Sequence, residues 1–174
     1  MNKIALKNIQ YIINDEFFNI KFQNDQQVKQ EFMSWILFLM SKNKMNTMKF
    51  AEKLKLNHGS LSVYYFSKKG LSRPIRINRV EQFIHVFNYD AYIMVDDKKI
   101  LCNNLEISKF LKNIRKIQGI NVPDMANKLN CSRQAVYNYE GDGQDKHHFT
   151  PSLLNRLFKI YGCSDNLYFV FIKK

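Results

Sequence analysis

The chain has 174 residues, 45% of them hydrophobic, with 14 Phe, and a formal net charge of +12. This length allows one or two domains with enough apolar side chains for two small cores, and the charge draws it toward polyanions, nucleic acid first. The three cysteines, Cys102, Cys131 and Cys163, lack C-x-x-C spacing, which argues against a disulfide framework or a zinc site and for reduced thiols.

In chain order, residues 1–24 form an N-terminal extension in which Tyr11-Ile12-Ile13, Asn14-Asp15 and Phe17 to Phe22 suggest a hairpin, although Ala5, Ile9 and Ile12 also suit a helix. Lys3, Lys7, Asp15 and Glu16 break up that start, so no signal peptide is expected. Val28, Phe32, Trp35, Ile36 and Leu39 then recur at helical spacing. The longest apolar run, Trp35 to Met40, is far below the roughly 20 residues a bilayer needs, which predicts a soluble, cytoplasmic protein. A paired-helix pattern follows over Ala51, Leu54, Leu61 and Tyr64, then a stripe of Val80, Phe83, Ile84 and Phe87 closed by Asn88. Tyr92 to Val95, Asp96-Asp97-Lys98-Lys99 and Ile100 to Cys102 read as strand, turn, strand.

The second half repeats this order. Phe110, Leu111, Ile114 and Ile117 predict an amphipathic helix. The next helix starts at Val122, with Asn121 as cap and Pro123 at N1, and buries Met125, Ala126 and Leu129 before Asn130 and Cys131 interrupt the spacing. Ser132 can then cap another helix whose Val136 and Tyr139 face inward. Leu153, Leu154, Leu157, Phe158 and Tyr161 form a last stripe closed by Gly162, before a strand over Leu167 to Ile172 ended by Lys173 and Lys174.

The two halves superpose at an offset of 75, placing Ala51 on Ala126, Leu54 on Leu129, Leu61 on Val136 and Tyr64 on Tyr139. A small side chain at Ala51 and Ala126 suits two helices crossing closely over a short turn. From Ala126 to Leu129, through the Ser132-Arg133-Gln134 turn, to Tyr139-Glu140-Gly141, residues 109–163 resemble the lambda-repressor-like helix-turn-helix family of Cro, phage repressors and XRE regulators. Residues 35–89 resemble it more weakly, because Tyr65 replaces the glutamate that commonly ends the second helix and Gly59 lies within the recognition helix. The expected fold is therefore mainly α, with two tandem helix-turn-helix domains, 25–103 and 104–174, each followed by short β-strands. The strands would either form a small sheet that fixes how the two units face each other or merely cap the edge of each core.

The resemblance implies a sequence-specific DNA-binding regulator, of the repressor type found in phages or mobile elements. A composition rich in Lys, Asn, Ile, Phe and Tyr also suits an AT-rich bacterial or phage genome. In such proteins the exposed face of the second motif helix enters the major groove. In the second copy that face carries Ser132, Arg133, Gln134, Tyr137 and Asn138. Arg suits guanine O6 and N7, while Gln and Asn suit adenine N6 and N7. In the first copy the face carries His58, Ser60 and Ser62 beside Gly59 and Val63, and lacks long hydrogen-bonding arms. Lys68, Lys69, Arg73, Arg76 and Arg79 follow as phosphate contacts, joined by Thr47, Asn121 and Lys146, with His147 and His148 beside Lys146. Val122 stands where family members often have a glutamine. The unlike readout faces favour a homodimer over a single chain reading two half-sites. A helix-turn-helix scaffold that binds and inhibits a nucleic-acid-handling protein is the alternative. No nucleophile, phosphate-cradling glycine loop or metal-ligand pair suggests an enzyme, and no cofactor is expected.

Overall fold

A computed structural model of the chain describes residues 17–141, 148–163 and 166–174. The hairpin or helix expected before Phe17, and Lys146 and His147, lie outside the described residues. The fold is mixed α/β, with 57% of the described residues helical and one small four-stranded antiparallel sheet among them. Strand β1 (Phe17–Lys21) leads into the long helix α1 (Asp25–Lys42), followed by α2 (Thr47–Lys53) and α3 (His58–Leu61). A π-helical turn, Ser62–Phe66, continues α3 and passes into α4 (Lys68–Leu71), then α5 (Ile77–His85) and the hairpin β2 (Tyr89–Val95) and β3 (Lys98–Leu101). The second half comprises α6 (Asn104–Ile117), α7 (Val122–Leu129), α8 (Arg133–Tyr139), α9 (Pro151–Ile160) and β4 (Tyr168–Lys173).

Local chemistry accounts for the boundaries. Asn24, Asn46, Asn57, Asn103 and Asn121 each accept a backbone N–H from the first turn of the helix they precede, as do Ser67, Ser132 and Thr150. These side chains satisfy amides that have no partner inside the helix. After the two apolar stripes the chain turns through positive φ, 65° at Asn88 and 78° at Gly162, as their places in the sequence suggest. At Gly162 a Cβ would also press on Gln118 Nε2 at 2.9 Å.

The sheet order is β1-β4-β2-β3, so the last strand of the chain lies between the first strand and the hairpin. Phe171 stands opposite Phe18 on one side and Ala91 on the other, while Phe169 faces Ile20 and Ile93. Tyr89, Ala91, Ile93 and Val95 alternate into the interior, the period of a strand covered on one face. Trp35 of α1 packs there, its ring 4.6 Å from that of Phe171, 4.8 Å from Phe18 and 5.2 Å from Tyr89. Two separate small cores do not form; one contiguous apolar cluster runs through both halves, joining Phe32, Phe50 and Phe83 to Leu111, Val136 and Phe158.

Two sequence expectations change. Ile117 belongs to the helical stripe by spacing, yet it is 82% exposed, because α6 ends there and its last turn runs past the core. Tyr64 is 46% exposed instead of facing inward as Tyr139 does by analogy. The π turn rotates the following residues about the helix axis, so half-buried Tyr65 takes the inward place with its ring 4.8 Å from Phe83.

Candidate nucleic-acid interface

In the second half, α7 and α8 meet across a three-residue turn. Its first residue, Asn130, adopts left-handed geometry at φ 50°, and its last, Ser132, accepts the Ala135 amide at 3.1 Å. Asn121 caps α7 by accepting the Asp124 amide at 2.8 Å, so its side-chain oxygen is engaged within its own helix. Met125, Ala126 and Leu129 of α7 and Val136 of α8 are buried. Arg133, Gln134 and Tyr137 are exposed on the opposite face of α8 beside half-buried Asn138. Gln134 Nε2 donates to Asn138 Oδ1 at 3.1 Å, the i, i+4 pairing of neighbours on one helix face.

The end of α8 is held by a buried polar knot. Glu140, 3% exposed, accepts a fork from Arg115 of α6, Nε to Oε1 and Nη2 to Oε2, both at 2.7 Å. The Tyr161 hydroxyl, just past α9, donates to Oε1 at 2.9 Å, and Arg115 Nη1 reaches the Ile120 carbonyl at 2.8 Å. Burial and the Glu140 carboxylate raise the Tyr161 hydroxyl above its usual range, keeping its donor proton in place. Hydrogen bonding to Glu140 raises Arg115 and keeps its guanidinium charged. Planar bidentate pairing restrains orientation as well as distance, so α8 is set relative to both α6 and α9. Arg156 Nη2 adds a bond to the Leu129 carbonyl at the end of α7, 2.8 Å long.

The corresponding region of the first half is built differently. Thr47 opens α2 and its hydroxyl lies 3.0 Å from Nε2 of exposed His58, so these two predicted contact residues touch each other. Ser60 is exposed and Ser62, at the start of the π turn, is half-buried. Lys29 of α1, 2% exposed, donates through Nζ to the Tyr64 carbonyl at 2.9 Å and the Gly70 carbonyl at 2.8 Å, and lies 4.9 Å from the centre of the Tyr65 ring. Gly70 has to be glycine: a Cβ there would run into the Val63 carbonyl and come within 2.6 Å of the Tyr64 carbonyl carbon. Tyr65 thus stands at the position that corresponds to Glu140, and it meets Lys29 of α1 instead of an arginine placed like Arg115.

Three of the basic residues after the π turn line a cleft of about 630 Å³ together with Lys29 and Tyr64. Arg73, Arg76 and Arg79 belong to its wall, and so do Ser60 and, from the far half of the chain, His148 and Thr150. Arg73 lies 5.1 Å over the Tyr64 ring, and Arg79 Nη1 donates to Gln82 Oε1 at 2.7 Å. Lys69 is exposed on α4, which Lys68 opens, and does not line the cleft.

No protein-family model, curated protein or solved structure matches this chain. The fold gathers the α8 residues on one face and the three arginines in a concavity. Lys29 and Arg115 were missed in the sequence. Each stands inside a helical apolar stripe, Lys29 beside Val28 and Arg115 four residues after Leu111, where a charge requires a buried partner. Among the described residues no cluster of His, Cys, Asp or Glu is suited to hold a metal, and no helix is long and apolar enough to cross a membrane.

Proposed function

We propose that the protein is a sequence-specific duplex-DNA-binding regulator of the repressor type, built on two tandem lambda-repressor-like units and reading the major groove with α8. The observation that carries this reading is the exposed Arg133, Gln134 and Tyr137 on a helix whose opposite side is packed through Val136 and whose end is held by Arg115 and Glu140. Base readout needs donor groups held in fixed directions, since a bidentate contact discriminates only when both bonds can form. The net charge of +12 supplies the attraction to phosphate, and Thr47, Asn121 and Lys69 are suitably placed at helix starts or on exposed surface. The first half contributes little readout of its own, because His58 and Thr47 pair and the π turn breaks the helix after Leu61. A homodimer then brings two copies of α8 to half-sites about 34–36 Å apart.

Selection of bound sequences from random duplex DNA tests the reading. A consensus with twofold symmetry is expected, and affinity for it falls with salt at a log–log slope near −0.9 per phosphate contacted. Absence of any enriched sequence, or a flat salt response, would overturn it.

A further inference from the structure

The cleft between α1, the π turn, α5 and the start of α9 carries chemistry that base readout does not use. Arg73, Arg76 and Arg79 line it together with the largely buried Lys29, and among the described residues that line it none is acidic. Like charges gathered without a counter-charge repel one another, an arrangement that an anionic ligand relieves. The shape selects the kind of anion. A duplex presents its phosphates on a convex cylinder, whereas this wall is a concave cleft of about 630 Å³, open to solvent on one side, that draws its residues from both halves of the chain. That volume lies within the range typical of small-molecule sites. Lys29 is 2% exposed, so only a slender anionic group can approach it. Beside the cations stands an aromatic platform, the exposed Tyr64 ring with Arg73 over it at 5.1 Å, while Ser60 and Thr150 add hydroxyl groups.

We propose that this cleft binds a nucleotide bearing two or more phosphates, with Arg73, Arg76, Arg79 and Lys29 taking the phosphates and Tyr64 stacking the base. A polyphosphate carries several negative charges, commensurate with four cations, and aromatic stacking tolerates any base because each has a π face. The proposal is independent of base reading by α8. The burial of Lys29 and the neighbouring Arg73 lower its pKa to about 8, a cost that an adjacent phosphate reverses.

Calorimetric titration of the full chain at physiological salt tests the proposal, using ATP in EDTA, inorganic tripolyphosphate, adenosine and a duplex oligonucleotide. ATP is expected to bind at micromolar concentration and adenosine not at all, with tripolyphosphate several-fold weaker than ATP. Arg76→Ala and Arg79→Ala should each weaken ATP at least tenfold while leaving the circular dichroism spectrum unchanged. Tyr64→Ala should erase the difference between ATP and tripolyphosphate. ATP affinity weaker than millimolar, or unaltered by both arginine changes, overturns the proposal. Equal affinity of the parent protein for ATP and tripolyphosphate removes the nucleotide assignment. Displacement of ATP by the duplex, with duplex affinity lost in the same two arginine variants, assigns the cleft to the DNA backbone instead. Loss of sequence preference in Arg133→Ala with ATP binding intact would separate the two sites.

Discussion

At Arg133 the side chain is exposed on the helix surface, whereas at Glu140 it is buried and hydrogen-bonded to Arg115 and Tyr161, and substitutions at these positions should behave accordingly. Arg133→Ala should relax preference at one or two base pairs of the selected site, a loss of about 1–3 kcal/mol of discrimination, with unfolding unchanged in urea. Glu140→Ala should instead lower stability by about 3–5 kcal/mol, because it leaves the Arg115 guanidinium buried without its carboxylate. The paired change Arg115→Met with Glu140→Leu should cost less than either single change, which a double-mutant cycle will measure. Lys29 offers a pH signature. Its folded pKa is lowered from 10.5 to about 8, so between those values the unfolded chain holds a proton that the native protein has released. Stability should therefore rise with pH across that window, on the order of 3 kcal/mol for this group, and the Lys29→Met variant should lack that part of the rise when unfolding is followed from pH 7 to 10.5.

Among the elements, the π turn explains why two halves with a shared apolar framework present unlike faces. In the second half, seven regular residues of α8 place Val136 inward and Arg133, Gln134 and Tyr137 outward. In the first half, Gly59 weakens α3, which ends as α-helix at Leu61, and the wider turn exposes Tyr64 and turns Tyr65 inward. The turn is held against α1 by Lys29 and against α4 by the close approach of Gly70. Gly70→Ala should thus destabilise the protein by at least about 1–3 kcal/mol, the usual cost of overpacking, read as a lower denaturation midpoint. Its cleft should distort as well, so ATP affinity should fall in the same variant.

For the molecule as a whole, the place of β4 decides cooperativity. It pairs with β1 on one side and β2 on the other, and Phe171 touches Trp35, the single tryptophan, which lies in the first half. A chain ended after Asn166 loses two ladders and the Phe169 and Phe171 rings from the core. Its Trp35 fluorescence should shift to the wavelength of a solvated indole, although Trp35 lies more than 120 residues from the cut. In the intact protein, Trp35 fluorescence and helical circular dichroism should report one shared transition, as expected of a contiguous core.

Periodicity and capping made most elements legible in the sequence: the stripes of α1, α5 and α9, the caps Asn121 and Ser132, the turns at Asn88 and Gly162, and the hairpin after Asn88 all follow from local rules. These depend on residues three or four apart, or on one residue's own φ, so no distant partner is needed to specify them. The exposed α8 face was legible for the same reason. Strand order, the inward turn of Tyr65, the burial of Lys29 and Arg115 and the convergence of three arginines with His148 and Thr150 were decided only by tertiary structure. Each depends on what lies across the core, and a charge within an apolar stripe does not disclose from its own neighbourhood which group will come to meet it.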